Sequence, residues 1–221
     1  MHRLYSYLSV REAKLIDTYK TLKKLGIAEY VVKKSKFIGS AAPVKSDEEA
    51  VSFINEIRQK HRAASHNVYA YFIRKGQLKR YSDDGEPRGT GGVPVLNVIL
   101  KENISNCAVV ITRYFGGTLL GTGGLVRAYS LTAKLALDNA GIGEVINWSL
   151  LEVKCPYDFF SKLSALIFEN CGVIINSVFE TEVFVQLKIP SEYEQKIEEA
   201  LKEASGGGLF FNCTGHEYGF K

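Results

Sequence analysis

The chain has 221 residues, 46% hydrophobic and 24% charged, with a formal net charge of +4. That is enough sequence for two small domains with separate cores, and the apolar content is that of a packed globular protein. No run approaches the ~18 consecutive apolar residues of a bilayer-spanning helix, and the first residues lack an apolar stretch of signal-peptide length, so a cytoplasmic location without membrane contact is expected.

Residues 1–17 carry Leu4, Leu8 and Leu15 at loosely helical spacing and fit either a packed helix or an unstructured arm. Residues 27–44 read as one or two strands, with β-prone Tyr30-Val-Val and then Phe37-Ile after a basic interruption. Ser46-Asp-Glu-Glu49 is a capping box that opens a helix through Phe53, Ile54 and Ile57 to about Lys60. Residues 66–74 alternate as a strand, and Lys75-Gly-Gln turns the chain into Leu78-Lys-Arg-Tyr-Ser. Residues 83–92 are a loop by their Gly and Pro content. Pro94 suits the first position of a helix through Val95-Leu-Asn-Val-Ile-Leu. Residues 108–115 are a buried strand, and residues 122–140 a helix ended by Gly141.

A second region follows, with the boundary expected near residues 143–148. Residues 148–155 read as a strand and 157–170 as a helix with Phe160, Leu163 and Ile167 on one face. Residues 173–179 and 183–189 are two strands, residues 190–204 a helix, and Gly206-Gly-Gly208 releases the chain into a last strand at about 209–213. This β-α-β-β-α-β order is the ferredoxin-like plan. The expected division is an extension over 1–17, a first domain over 18–145 and a second over 146–221, in the α+β class. Charge divides with it: residues 1–150 hold 22 Lys and Arg against 13 Asp and Glu, whereas residues 151–221 hold 6 against 11. That segregation fits either different partners or chance.

The most informative stretch joins the buried strand to the following helix. Val109-Val-Ile-Thr ends in Arg113-Tyr114-Phe115 and passes through Gly116, Gly117, Gly121, Gly123 and Gly124 into a helix bearing Arg127. Amides at a helix start favour an anion, glycines let the backbone approach it, and arginines supply forked donors. A phosphate site is the functional reading; a tight strand-to-helix turn is the structural one. Gly-Lys-Ser/Thr is missing, so no Walker A site is expected and no intrinsic nucleoside-triphosphatase activity follows. Asp83, Asp84 and Glu86 place three carboxylates in a five-residue loop, which suits metal or acid–base use or, alternatively, a brace salt-bridged to arginines. His66 shares a strand face with Val68, Ala70 and Phe72 and fits a hydrogen-bonded core residue or a proton carrier. Tyr69, Tyr71, Arg74, Lys75, Lys79, Arg80 and Tyr81 interleave aromatic and basic side chains, which fits either an RNA-binding sheet or a sheet with core aromatics and solvated charges. Cys107, Cys155, Cys171 and Cys213 lack zinc-site spacing and are expected to be reduced and structural. No catalytic residue, metal or cofactor is expected.

Arg113-Tyr-Phe-Gly-Gly and Leu120-Gly-Thr-Gly-Gly-Leu-Val-Arg-Ala-Tyr129 resemble the signature of the YigZ/IMPACT family. Ser82-Asp-Asp-Gly-Glu-Pro-Arg-Gly-Thr-Gly-Gly-Val-Pro94 is similar to that family's second motif, and Lys34-Ser-Lys-Phe-Ile38 and Ala64-Ser-His66-Asn to its early part. Two residues depart from the pattern: Gly91 stands where alanine is expected, giving a more flexible loop, and Arg88 where a small residue is common. The resemblance spans residues 18–221. It implies a first domain with the superfold shared by a small-subunit ribosomal protein domain, the fourth domain of elongation factor G and the GHMP kinases. The second domain would resemble the fifth domain of elongation factor G. Eukaryotic members are associated with control of translation under amino-acid starvation. The expected function is therefore RNA binding or association with the ribosome or translation factors, through the glycine loop, Arg113, Arg127 and the 83–86 loop. A binder or enzyme for a small phosphorylated ligand is the second reading, and a protein-interaction regulator without nucleic-acid affinity the third.

Overall fold

A computed structural model describes residues 18–221; the expectation for residues 1–17 falls outside the described residues. The chain is of mixed α+β class and packs as two compact units, one of residues 19–144 and one containing residues 145–221.

In the first unit the order is β1 (Tyr19–Leu22), β2 (Gly26–Val32), β3 (Ser35–Pro43), α1 (Asp47–Lys60), β4 (His66–Ile73), β5 (Leu78–Ser82), α2 (Gly92–Lys101), β6 (Cys107–Tyr114) and α3 (Thr122–Ala140). Strands β2-β3-β6-β4-β5 form one antiparallel sheet. β6 lies at its centre because Cys107 to Arg113 is buried on both faces, as an uninterrupted apolar run requires. Val110 points to one face with Ile54, Ile57, Tyr71 and Ile73 beneath α1. Val109 and Ile111 point to the other, with Phe37, Val68, Tyr129 and Leu137 beneath α2 and α3. Strand alternation therefore sends every second residue of β6 toward α2 and α3, and Arg113 is the last of that row.

Local signals set the helix ends. Ser46 Oγ accepts the Glu49 N–H at 3.3 Å, and the Glu49 carboxylate accepts the Lys45 N–H at 2.7 Å. α3 ends at Gly141, whose φ of 71° and N–H bond to the Asp138 carbonyl close the last turn. Pro94 stands third in α2, not first; its missing N–H is still among the amides that lack an intrahelical acceptor. β1 was not anticipated, since four residues are too few for a period to show. It is held by the Ser105 N–H on the Lys20 carbonyl and by Thr21 Oγ1 on the Asn106 carbonyl.

The second unit's elements are β7 (Ile142–Cys155), α4 (Phe160–Glu169), β8 (Val173–Phe179), β9 (Val183–Pro190), α5 (Glu194–Ala204) and β10 (Asn212–Phe220). Its strands run antiparallel in the order β10-β7-β9-β8. Leu151, Val153, Val185 and Leu187 form the core with Leu163 and Ile167 of α4 and Ile197 and Leu201 of α5. The change of unit falls between residues 144 and 145, inside β7, which begins directly after Gly141. The last strand differs from expectation. Leu209 and Phe211 pack half-buried on the core without joining the ladder, and the ladder runs from Asn212 to Phe220. Most of β10 is exposed, so no two-residue hydrophobic alternation marks it in the sequence. β8 forms an edge with Ile175 and Phe179 exposed. Among the described residues, no helix is long and apolar enough to cross a membrane.

α3 lies unusually close to the sheet. A Cβ on Gly26 would meet the Ala140 nitrogen at 2.2 Å and the Ala136 carbonyl at 2.3 Å, both backbone atoms. Gly26→Ala should therefore lift α3 from β2 and cost about 1–3 kcal/mol or more, as overpacking does, read as a lower urea midpoint.

Candidate functional site

The loop between β5 and α2 is held by its own carboxylates. Asp83 accepts the N–H groups of Gly89 (2.8 Å), Gly91 (3.0 Å) and Gly92 (2.9 Å), so it ties the loop to the start of α2. Burial opposes its ionisation, but these amides and the charge of Arg88 outweigh burial and hold its carboxyl below the usual range. Asp84 accepts from Arg58 Nη2 at 2.7 Å and from the Asn67 N–H at 2.6 Å. Its carbonyl accepts the Nδ1–H of His66 at 2.8 Å. Glu86 is 8% exposed, and its Oε1 accepts from Arg113 Nη1 at 2.6 Å and from the Tyr129 hydroxyl at 2.7 Å. Burial and the Glu86 bond push the Tyr129 phenol well up, so it stays a donor. Of the two uses the carboxylates suggested, the geometry is that of the brace.

Arg113 is placed differently from a solvent-facing anion contact. It is 5% exposed, paired with Glu86, and packed over the rings of Phe37 and Phe115. Its place on β6 explains this: the strand's inward row continues to residue 113, so the guanidinium enters the core and needs a buried counter-ion. Tyr114 is half-buried, with its hydroxyl 3.0 Å from Nδ1 of His61. The aromatic ring that faces solvent beside the loop is Phe115, 49% exposed. His66 Nε2 lies 3.9 Å from Glu86, which makes His66 a hydrogen-bonded neighbour of the brace. Gly91 is buried and bonded to Asp83, and a Cβ there would sit 2.9 Å from Val68; the loop is pinned at this point, contrary to the flexibility expected. Arg88 is exposed at its rim.

The glycine loop presents the open surface. Gly116 passes so close to the β2–β3 turn that a Cβ would lie 2.0 Å from the Lys34 carbonyl carbon, and its N–H donates to Ser35 Oγ. Lys33 and Lys34, the two turn residues with φ of 47° and 65°, are thereby fixed beside it. Gly117 and Gly121 take positive φ, and Gly121 is the N-cap of α3. Among the described residues no side chain caps that helix start, and no acidic residue occupies its first turn. Gly123 is exposed, Gly124 half-buried, and a Cβ on Gly123 would be 4.0 Å from Arg127 Nη1. Arg127 is exposed and has no ion pair among the described residues. An open groove of about 660 Å³ adjoins the loop, with Tyr30, Val98 and Leu131 among its apolar lining and Lys33, Lys101 and Arg127 among its cations. Lys33 and Lys101 were not singled out from sequence, and Lys34 only as the first residue of a family motif and not as a contact. Adjacent lysines between two strand-like runs were the available signal for a hairpin turn.

Glu86→Ala should destabilise the chain by about 3–5 kcal/mol, because it strands a buried guanidinium; the double variant Glu86→Gln/Arg113→Met should recover a large part, read by urea unfolding. Because the Asp83 carboxyl is held below its unfolded value, its contribution is present above that value and is lost as pH falls through the folded one. The difference in stability between the parent and Asp83→Asn should therefore shrink as pH is lowered below ~4.

The Impact N-terminal domain model matches residues 33–137. IMPACT family member YvyE of Bacillus subtilis is 31% identical over 194 residues, covering 87% of this chain and 89% of that one. IMPACT family member YigZ of Escherichia coli is 32% identical over 181 residues, covering 80% and 89%. Protein IMPACT of Mus musculus is 35% identical over 95 residues, covering 40% of this chain and 29% of its own. A crystal structure described as a hypothetical protein superposes with a TM-score of 0.58 at 29% identity, covering 91% of this chain and 99% of that one. With a bacterial relative matched along nearly its whole length and the central motifs folded into one braced site, the chain belongs to the IMPACT family.

Proposed function

We propose that this chain is a translation-associated protein that binds the phosphate backbone of RNA at the glycine loop of its first unit. The observation that carries the reading is the start of α3: an uncapped helix N-terminus without acidic residues, opening on exposed glycines beside Lys33, Lys34 and Arg127. Such an end attracts phosphate through its free amides and dipole, and the neighbouring cations supply the counter-ion release that dominates affinity for RNA. Phe115 offers an exposed ring on which a base can stack. Membership in a family whose eukaryotic members are associated with translational control supports the setting. So does the element order of the second unit, which fits the ferredoxin-like plan expected from likeness to the fifth domain of elongation factor G; fold alone carries no function. A small phosphorylated ligand is the second reading, favoured by the groove of about 660 Å³, a size typical of small-molecule sites.

For single-stranded RNA, log affinity should fall linearly with log salt by ~0.7 per neutralised phosphate. Arg127→Ala and Lys34→Ala should each lower that slope by about one contact with little dependence on sequence. Phe115→Ala should weaken binding at unchanged slope, because stacking releases no counter-ions. Arg113→Ala should act through stability. Binding that ignores salt, or both cation variants as tight as the parent, would remove the RNA reading; saturable binding of a small phosphate compound without RNA affinity would favour the second.

A further inference from the structure

We infer that the second unit carries a binding site for a thiophilic divalent cation of the zinc class, formed by Glu194, Cys213 and His216. One ligand atom from each of these residues lies within 4.8 Å of the others. They come from two elements, the first residue of α5 and the outer strand β10.

The backbone is shaped for this convergence. Residues three apart on a regular strand point to opposite faces. Cys213 pairs with Leu151, but Gly215 pairs with Leu150 and His216 with Ser149, so β10 carries one extra residue at Thr214. This bulge brings the side chains of Cys213 and His216 to the same side. Their Sγ and Nε2 atoms stand 4.0 Å apart. In a tetrahedral zinc site with bonds of ~2.3 Å to sulfur and ~2.0 Å to nitrogen, the same two atoms are about 3.5 Å apart. Small side-chain rotations close the difference.

A fully buried hydroxyl orients the ligands. Ser149 Oγ lies 2.6 Å from Glu194 Oε2, 2.8 Å from Ser191 Oγ and 3.2 Å from His216 Nδ1. A carboxylate only accepts, so Ser149 donates to Glu194 and has two lone pairs for the Ser191 hydroxyl and the Nδ1–H of His216. The histidine proton is thereby fixed on Nδ1, and the Nε2 lone pair faces Cys213. Metal-bound histidines are supported in this way, with the remote ring nitrogen donating to an oxygen. The same arrangement argues against Ser149 as a nucleophile, since it gives its proton to the carboxylate and accepts one from the imidazole. Thiolate, imidazole and carboxylate together suit zinc better than magnesium or calcium, which take oxygen ligands. Two anionic ligands offset the divalent charge at a helix start that itself carries positive character. Cys213 and His216 are exposed, so solvent can take the fourth position. The Cys213-Thr-Gly-His216 spacing is the trace of the site in the sequence. It looks unpromising there, because a strand without a bulge would separate the two residues.

The full chain, stripped with chelator under reducing conditions, is titrated with Co²⁺ and then with Zn²⁺. One Co²⁺ per chain should bind with thiolate-to-cobalt charge-transfer absorption and the intense visible bands of tetrahedral cobalt, and Zn²⁺ should displace it. Cys213→Ser should abolish the charge-transfer band, whereas Cys171→Ser, at the other exposed cysteine, should leave it intact. Ser149→Ala should keep the band but weaken affinity about 10- to 100-fold. X-ray absorption at the zinc edge of the unaltered chain should count one sulfur among nitrogen and oxygen neighbours, which tests the site without any variant. Absence of stoichiometric binding, a zinc spectrum without sulfur, or a band that survives Cys213→Ser or is lost in Cys171→Ser would overturn the inference.

Discussion

A single buried carboxylate, Glu86, organises the candidate site. Its Oε1 receives Arg113 from the central strand β6 and Tyr129 from helix α3, so the β5–α2 loop is fastened to both elements through one carboxylate oxygen. Burying an ion pair brings little net stability compared with an apolar replacement, whereas breaking one is expensive. The pair is therefore best understood as a device for position. With Asp83 tying the loop to the start of α2 and Asp84 tying it to Arg58 of α1, three successive acids address all three helices of the first unit.

From Arg113 the order extends outward to the surface. Arg113 Nη2 lies 3.5 Å from Ser35 Oγ, and that oxygen accepts the Gly116 N–H at 3.1 Å. A chain of contacts thus runs from the buried carboxylate, through the arginine and a serine, to the first turn of the glycine loop. The exposed amides and cations are held by this frame and not by bonds to one another. A surface that is open yet fixed pays little ordering entropy on meeting a ligand.

Most of the fold was legible because it rests on local patterns. The Ser46 cap, the helix from Thr122 to Gly141 and the apolar run of β6 each carry their signal within a few residues. The site was legible in its residue types, whereas the setting of each side chain depends on the fold. Arg113 looks like a free cation because its charge is plain in the sequence, while its burial depends on strand parity and on a partner 27 residues away. The carboxylates of 83–86 admit either chemistry or a brace in the sequence, and the fold decides for the brace by turning amides and arginines toward them. The polar cluster around Ser149 leaves only the Cys213–His216 spacing in the sequence, since its members come from residues 149, 191, 194, 213 and 216. A one-residue bulge decides whether two of them meet. Strand β10 was displaced for a related reason: its place is set by backbone pairing with β7, and its side chains carry no periodic record of it.

The position of β6 has a consequence for the order in which the chain is made. It separates β3 from β4 in the sheet, yet both precede it in sequence. Synthesis therefore first yields two separate ribbons, β2 with β3 and β4 with β5, and an isolated two-stranded ribbon is marginal in water. Neither can join the other until residues 107–114 emerge to fill the gap, and α3, which roofs β2 and β3, arrives later still. The first unit must hence assemble in one late, long-range step, of the kind that loop closure slows. A nascent chain halted before residue 107 carries two facing strand edges with nothing to pair them, which makes the interval before the central strand appears the period of greatest exposure to misassembly.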